Sequence, residues 1–299
     1  MSNRKRLFTG TIASLAMVLS LAAPAGAMLH GKNATSAATY GDIGSLWTTS
    51  SSGSSIYYFI CSGIFVTATV FLTAAHCIAG TDADAAKYSI ATPVFHLSTS
   101  SAIAGCSVAR PCAQPPCSLT APCTTSPPSW IAVTGVYLNH SFHLGSATSS
   151  YTNDQAALTV AAGKSGLHGF AHFPRDPVVG YLNTLRSSRI LNQHSTFSVY
   201  GFGSGVRQVG SLPFSPLTAS FVDESQVDAA TGRASGACTG DSGGPNILNP
   251  VVARPFVVAL TSTGDAKCNA TNVSARLDTT SAQKFLASVP GLSAWVAKH

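Results

Sequence analysis

Gly240-Asp241-Ser242-Gly243-Gly244-Pro245 is the stretch on which the reading of this 299-residue chain turns. A serine hydroxyl is a weak nucleophile unless a base takes its proton and dipoles stabilise the oxyanion that its attack creates. Glycines on either side tolerate positive φ and close approach, so the backbone can aim several N–H groups at one point. At glycine's ordinary usage for each residue, a Gly-Asp-Ser-Gly-Gly match arises by chance at about 10⁻⁶ per starting position. A plain glycine-rich surface turn is therefore the weaker explanation, but a nucleophile still needs a base.

Working outward, the first candidate base is in Thr73-Ala74-Ala75-His76-Cys77, at the end of the apolar run Ile64 to Leu72. By itself a histidine beside a cysteine reads as structural. Between it and Ser242 lies Tyr151-Thr152-Asn153-Asp154-Gln155-Ala156-Ala157-Leu158, where an aspartate opens a semi-apolar strand; by itself it reads as a turn or cap. Together the three residues supply a nucleophile, a base and an anion that holds the base's tautomer.

These three segments, in the order His, Asp, Ser, make the chain resemble the chymotrypsin/trypsin family of serine proteases. The resemblance spans nearly all of the chain after its first 27 residues, with diverged sequence between the motifs. It implies an all-β fold of two perpendicular six-stranded antiparallel β-barrels with a C-terminal helix, and an active site between the barrels. It further implies Ser242 as nucleophile, His76 as general base, Asp154 as its orienting carboxylate, and the N–H groups of Gly240 and Ser242 as the oxyanion hole. Disulfides Cys61–Cys77 and Cys238–Cys268 follow from the same resemblance, as do substrate-binding roles for Gly236, Ala237, Ser262, Gly264 and Asn272. Ser262 is expected to bond the catalytic aspartate and Gly264 to pair with substrate backbone. Thr263 replaces the family's tryptophan, and Gly201-Phe202-Gly203 resembles its Gly-Trp-Gly segment. Six residues before the nucleophile the family's trypsin-like members carry an aspartate; here Gly236 stands there, which disfavours Arg or Lys before the cleaved bond because a buried cation lacks its counter-charge. A neutral, apolar or small-to-medium side chain is expected instead, with Asn272 narrowing the pocket and Asp265 at its rim solvated.

The N-terminus carries Arg4, Lys5 and Arg6, the apolar run Ile12 to Ala23, and the small residues Ala25-Gly26-Ala27. That is the pattern of a secretory signal peptide spanning 1–27, too short to cross a bilayer comfortably. Its removal takes away three basic residues and no acidic one, so the formal charge falls from +6 to +3. The residual charge is spread out, which argues against nucleic-acid binding. A secreted monomer acting on polypeptides is expected, with no cofactor, no metal and no membrane association after cleavage. Met28-Leu29-His30-Gly31 loosely resembles the family's mature terminus, whose free amine pairs with the aspartate before the nucleophile, here Asp241.

Eight cysteines in an exported chain point to four disulfides. Short β-branched and aromatic runs such as Ser55 to Ile60, Ile64 to Leu72, Ile131 to Leu138, Phe197 to Phe202 and Pro255 to Thr261 predict buried strands. The Cys/Pro-rich segment 99–129, with Cys106, Cys112, Cys117 and Cys123, reads as a disulfide-stapled surface insertion. Helical patterning stands out only near the C-terminus, where Asp278, Thr279 or Thr280 caps a helix through Phe285 and Leu286 that ends at Pro290-Gly291. The expected division is 28–174 for a first barrel with His76 and Asp154, and 175–299 for a second barrel with Ser242. Two rivals are weighed. One is an inactive homologue that binds protein. The other is an α/β-hydrolase esterase, which wants a histidine after its Gly-x-Ser-x-Gly serine, whereas only His299 follows here. His140 with His143, and Asp82 with Asp84, are too few ligands for a metal. Asn33, Asn139, Asn269 and Asn272 lie in glycosylation sequons.

Overall fold

The computed structural model describes residues 28, 30–34, 36, 41–49, 56–84, 94–103, 117, 123–124, 129–142, 151–164, 178–227, 233–249 and 256–296. The expected signal peptide, most of the 99–129 insertion, His143, His299 and the side chains of Asp82 and Asp84 lie outside the described residues.

Thirteen strands are described. β1 (Lys32–Asn33) lies outside the two rings. β2 (Ile43–Thr49), β3 (Tyr57–Thr67), β4 (Val70–Thr73), β5 (Val94–Ser98), β6 (Trp130–Leu138) and β7 (Ala156–Val160) close a barrel in the order β2-β3-β4-β7-β6-β5. β8 (Thr196–Gly201), β9 (Gln208–Leu217), β10 (Phe221–Ser225), β11 (Pro245–Leu248), β12 (Phe256–Gly264) and β13 (Thr271–Arg276) form the second sheet. It closes because β8 pairs with both β11 and β9, while β1 adds to the free side of β9. All pairings are antiparallel, and closure leaves six strands in each ring without an open edge. The all-β, two-barrel expectation therefore holds.

The run Ile64 to Leu72 folds as a hairpin, with Ala68 and Thr69 in the turn between β3 and β4. Its unbroken apolarity has a simple cause. Phe65 and Phe71 face the interior of the first barrel, where their rings meet edge-on at 5.0 Å, alongside Leu46, Leu97, Ile131 and Leu158. Ile64, Val66, Val70 and Leu72 point the other way, into a layer shared with Tyr200, Phe202, Val257 and Leu260 of the second barrel and with Phe285 and Leu286. Both faces of these strands are buried, so the two-residue alternation of an exposed strand is lost. Leu212, Val222, Phe197, Val199 and Val258 fill the second barrel's own core.

Four helices are found among the described residues: α1 (Ala75–Asp84), α2 (Tyr181–Ser187), α3 (Thr280–Ser288) and α4 (Ser293–Val296). Thr279 is the N-cap of α3, its side chain accepting from the Ala282 N–H at 3.1 Å, as the sequence predicted. α2 has no side-chain cap of its own. Asp278 supplies one from a distance, its Oδ2 accepting from the Leu182 N–H at 2.8 Å while Arg276 holds the same carboxylate. The described part of 99–129 is not merely a surface flap. Cys117 is bridged to Cys123, its side chain is buried, and both residues bond to the start of β3. Ile103 is buried too, with its N–H donating to Gly205 O at 2.7 Å.

Candidate active site

β4 ends at Thr73 and α1 begins at Ala75, so His76 falls in the first turn of a helix, where backbone N–H groups have no intrahelical partner. The His76 N–H donates to Asp154 Oδ1 at 2.8 Å, and His76 Nδ1 lies 2.7 Å from Asp154 Oδ2. Ser262 Oγ donates to that same Oδ2 at 2.6 Å. Asp154 is fully buried, and three donors on one carboxylate offset the cost of removing it from water. The acceptor beside Nδ1 assigns the ring proton there and leaves Nε2 as the basic nitrogen. The His76 side chain keeps 19% of its surface exposed, and the Tyr151 ring stacks on it at 5.4 Å.

The serine loop is tied down on every side. Gly240 and Gly243 hold φ of 91° and 77°, values that a side chain resists. Ser62 on β3 straps the loop to the first barrel. Its N–H donates to Ser242 O at 2.8 Å and its Oγ donates to Gly240 O at 2.8 Å, while Oγ also accepts from the Phe202 N–H at 2.9 Å. Gly243 N donates to Thr261 O at 2.7 Å. Asp241 is buried against Gly201 and accepts from the N–H groups of Gly203 (2.7 Å) and Cys238 (2.9 Å). Burial raises its pKa to about 7, against those two bonds, which pull it down. The N–H groups of Gly240 and Ser242 donate to no described residue, so both are available to an incoming oxyanion. No hydrogen bond joins Ser242 Oγ to His76 among the described residues.

Ser242 opens onto a pocket of about 200 Å³ whose lining includes Ala237, Ser262, Thr263, Gly264, Asp265 and Asn272. The Cys238–Cys268 bridge closes one wall, and the Cys61–Cys77 bridge holds the histidine segment to β3. Of the five sequence-predicted substrate-binding residues, four line this pocket and Gly236 does not. Its backbone at φ 140° is packed away, where a Cβ would come within 2.6 Å of Gln226 Oε1 and 2.9 Å of a Leu212 methyl. Asp265 is not simply solvated. Its carboxylate accepts from the N–H groups of Lys267, Asn269, Ala270 and Thr271 at 2.8–3.2 Å. Partial burial acts to raise its pKa, but these four bonds prevail and hold it below the ordinary range.

A trypsin family model matches residues 142–285. Over that stretch the chain is similar to a trypsin domain. The match takes in Asp154, Ser242 and Ser262 and starts downstream of His76, which the fold itself brings against Asp154. No curated protein matches the sequence. The trypsin match, the β-barrel pair and the disulfides support a serine protease-like function and fit an extracellular protein. No helix among the described residues is long and apolar enough to cross a membrane.

Other candidates fall differently. Cys61, His76 and Cys77 crowd together closely enough to suggest a metal site, but both sulfurs are committed to one disulfide. His140 is exposed. Two sequons are occupied structurally: Asn139 donates to Gln155 Oε1 at 2.7 Å and Asn272 to Glu224 Oε2 at 3.0 Å, both buried, whereas Asn33 and Asn269 are exposed. Sequence reasoning missed Ser62, Tyr151 and Glu224. Tyr151 sits within the aspartate segment, so its position was in view, but its stacking was not.

Proposed function

We propose that this chain is a secreted serine endopeptidase that hydrolyses peptide bonds through an acyl-enzyme intermediate. Ser242 Oγ attacks the scissile carbonyl as His76 Nε2 takes its proton. The oxyanion so formed accepts from the N–H groups of Gly240 and Ser242. Collapse of this intermediate breaks the C–N bond, and His76 returns the proton to the leaving amine. Water then attacks the acyl group by the same route and frees Ser242. Asp154 keeps the imidazole in its tautomer and stabilises its cationic form. The observation that carries the reading is the buried Asp154 carboxylate shared by His76 Nδ1 and Ser262 Oγ, with Ser262 lining the same pocket as Ser242. A Ser242–His76 bond is of the kind that tightens around substrate.

The protease acts as a monomer on polypeptides and its specificity is not trypsin-like, because the one carboxylate among the pocket-lining residues, Asp265, is taken up by four backbone N–H groups. Removal of residues 1–27 is proposed to free an amine at Met28 that reaches Asp241. Two facts support this: Met28 is buried beside Gly210, near Gly236, and no described cation pairs with Asp241. The alternative, a weak or inactive homologue that binds protein, draws on the absent Ser242–His76 bond and on Thr263 in the cleft wall. The test is incubation of the purified protein with a diverse peptide library, read by mass spectrometry. Internal cleavage that disappears in Ser242→Ala supports the endopeptidase; a folded wild type that cuts nothing supports the alternative.

A further inference from the structure

The pocket beside Ser242 is backed by a polar cluster inside the second barrel, where an apolar filling would be ordinary. Glu224 on β10 stands directly opposite Asn272 on β13, and Asn272 in turn stands opposite Gly264 on β12. Glu224 is fully buried. Its Oε2 accepts from Asn272 Nδ2 at 3.0 Å and from Ser274 Oγ at 3.1 Å. Asn246 on β11, with its amide nitrogen turned toward Glu224, donates to Oε1 at 3.3 Å, and its oxygen then faces Thr261 and Ser274. Burial pushes the Glu224 carboxyl well above the ordinary range, more than its bonds to Ser274 and Asn272 pull it down. A carboxyl held this way, among neutral donors and with no described cation beside it, costs stability in a barrel core. It does one visible thing for the pocket: it fixes the orientation of a lining residue.

Asn272 has two amide hydrogens. Nδ2 lies 3.0 Å from Glu224 Oε2 and 3.0 Å from Ser274 Oγ, so both hydrogens are directed into the cluster. The polar atom that Asn272 has left for the pocket it lines is its carbonyl oxygen, an acceptor. The carboxyls nearby offer little to a cation, since the oxygens of Glu224 accept from three side chains and those of Asp265 from four backbone N–H groups.

We propose that Glu224 is a specificity-determining positioning residue: by holding Asn272 with its carbonyl oxygen toward the pocket, it selects a neutral, hydrogen-bond-donating side chain, glutamine or asparagine, immediately before the cleaved bond. The inference rests on the endopeptidase reading and deepens it. An acceptor built into a desolvated pocket discriminates against a substrate that cannot donate to it, because the acceptor is then left unpaired.

The experiment compares kcat/KM for peptides that differ only before the scissile bond: glutamine, its apolar near-isostere norleucine, and lysine. Wild type is expected to prefer glutamine over both by about tenfold or more. Glu224→Leu frees Asn272 to turn over and brings the glutamine-to-norleucine ratio close to one. Glu224→Gln restores the preference, because its oxygen still accepts from Asn272 and the Asn246 amide can reverse to meet the new N–H. A merely structural role for Glu224 would lower all three rates together and leave the ratio unchanged, which would overturn the proposal. A wild-type preference for norleucine or lysine would overturn it without any variant. No cleavage of any peptide, together with no labelling by a fluorophosphonate, would instead remove the endopeptidase reading beneath it.

Discussion

The two barrels share a strand count and differ in what fills them. The first is packed with Phe65, Phe71, Leu97, Ile131 and Leu158 and delivers His76 and Asp154 from its rim. The second holds apolar packing at Leu212 and Val258 but gives up the part of its interior behind the pocket to Glu224, Asn246, Ser274 and Asn272. Packing that only has to position a histidine can be wholly apolar. Packing that also has to shape a pocket's hydrogen-bonding face carries polar groups into the core and bears their desolvation cost.

The largest effect tests what the first barrel delivers. Asp154→Asn is expected to lower kcat/KM at neutral pH by about 10⁴-fold, because the amide leaves His76 in the wrong tautomer. Steady-state kinetics measures it, and a loss under tenfold would separate Asp154 from catalysis. Next comes the apolar filling itself. Phe71→Ala should cost about 3–5 kcal/mol in denaturant unfolding by opening a cavity against Phe65, while leaving unchanged the order of preference among peptides.

In the second barrel the pH dependence of stability reports Asp241. Its folded pKa, near 7, lies above its unfolded value of 3.8, so the folded state binds the proton more tightly. In the uncleaved chain its contribution is therefore fully present below about pH 4, is lost as pH rises toward 7, and is level beyond, with a total of roughly 4 kcal/mol. Urea unfolding of the uncleaved chain against its Asp241→Asn variant should show the wild-type advantage shrinking over that window. Cleavage that frees the Met28 amine should flatten the slope if the amine reaches Asp241. The smallest effect concerns the seam between the barrels. Ser62→Ala strands the Phe202 N–H and Gly240 O and should cost about 1–3 kcal/mol, with a fall in turnover that tracks the loosened Gly240 N–H.

How much of this was legible depended on whether a residue's role is local. The Gly240–Pro245 turn, the histidine segment and the aspartate segment each carry their meaning within a few positions, so the candidate site could be assembled before any fold was seen. Strands buried on both faces, such as β3 and β4, were readable as strands because of their unbroken apolarity. Their turn at Ala68-Thr69 was hidden by that same continuity. α2 was invisible because its cap, Asp278, lies 96 residues from the Leu182 N–H that it serves. Gly236 was placed at the pocket by its offset from Ser242, but its φ of 140° folds it against Gln226 and Leu212 instead. Glu224 reads in sequence as one acid in a short strand. Only the β10–β13 register sets it against Asn272.

The central claim is that Ser242 is an activated nucleophile, and covalent labelling of the folded protein by a fluorophosphonate, mapped by peptide mass spectrometry, tests it most directly. The account predicts stoichiometric modification at Ser242, abolished in Ser242→Ala and strongly slowed in His76→Ala. A folded wild type that stays unlabelled, or a label that persists in Ser242→Ala, would contradict it.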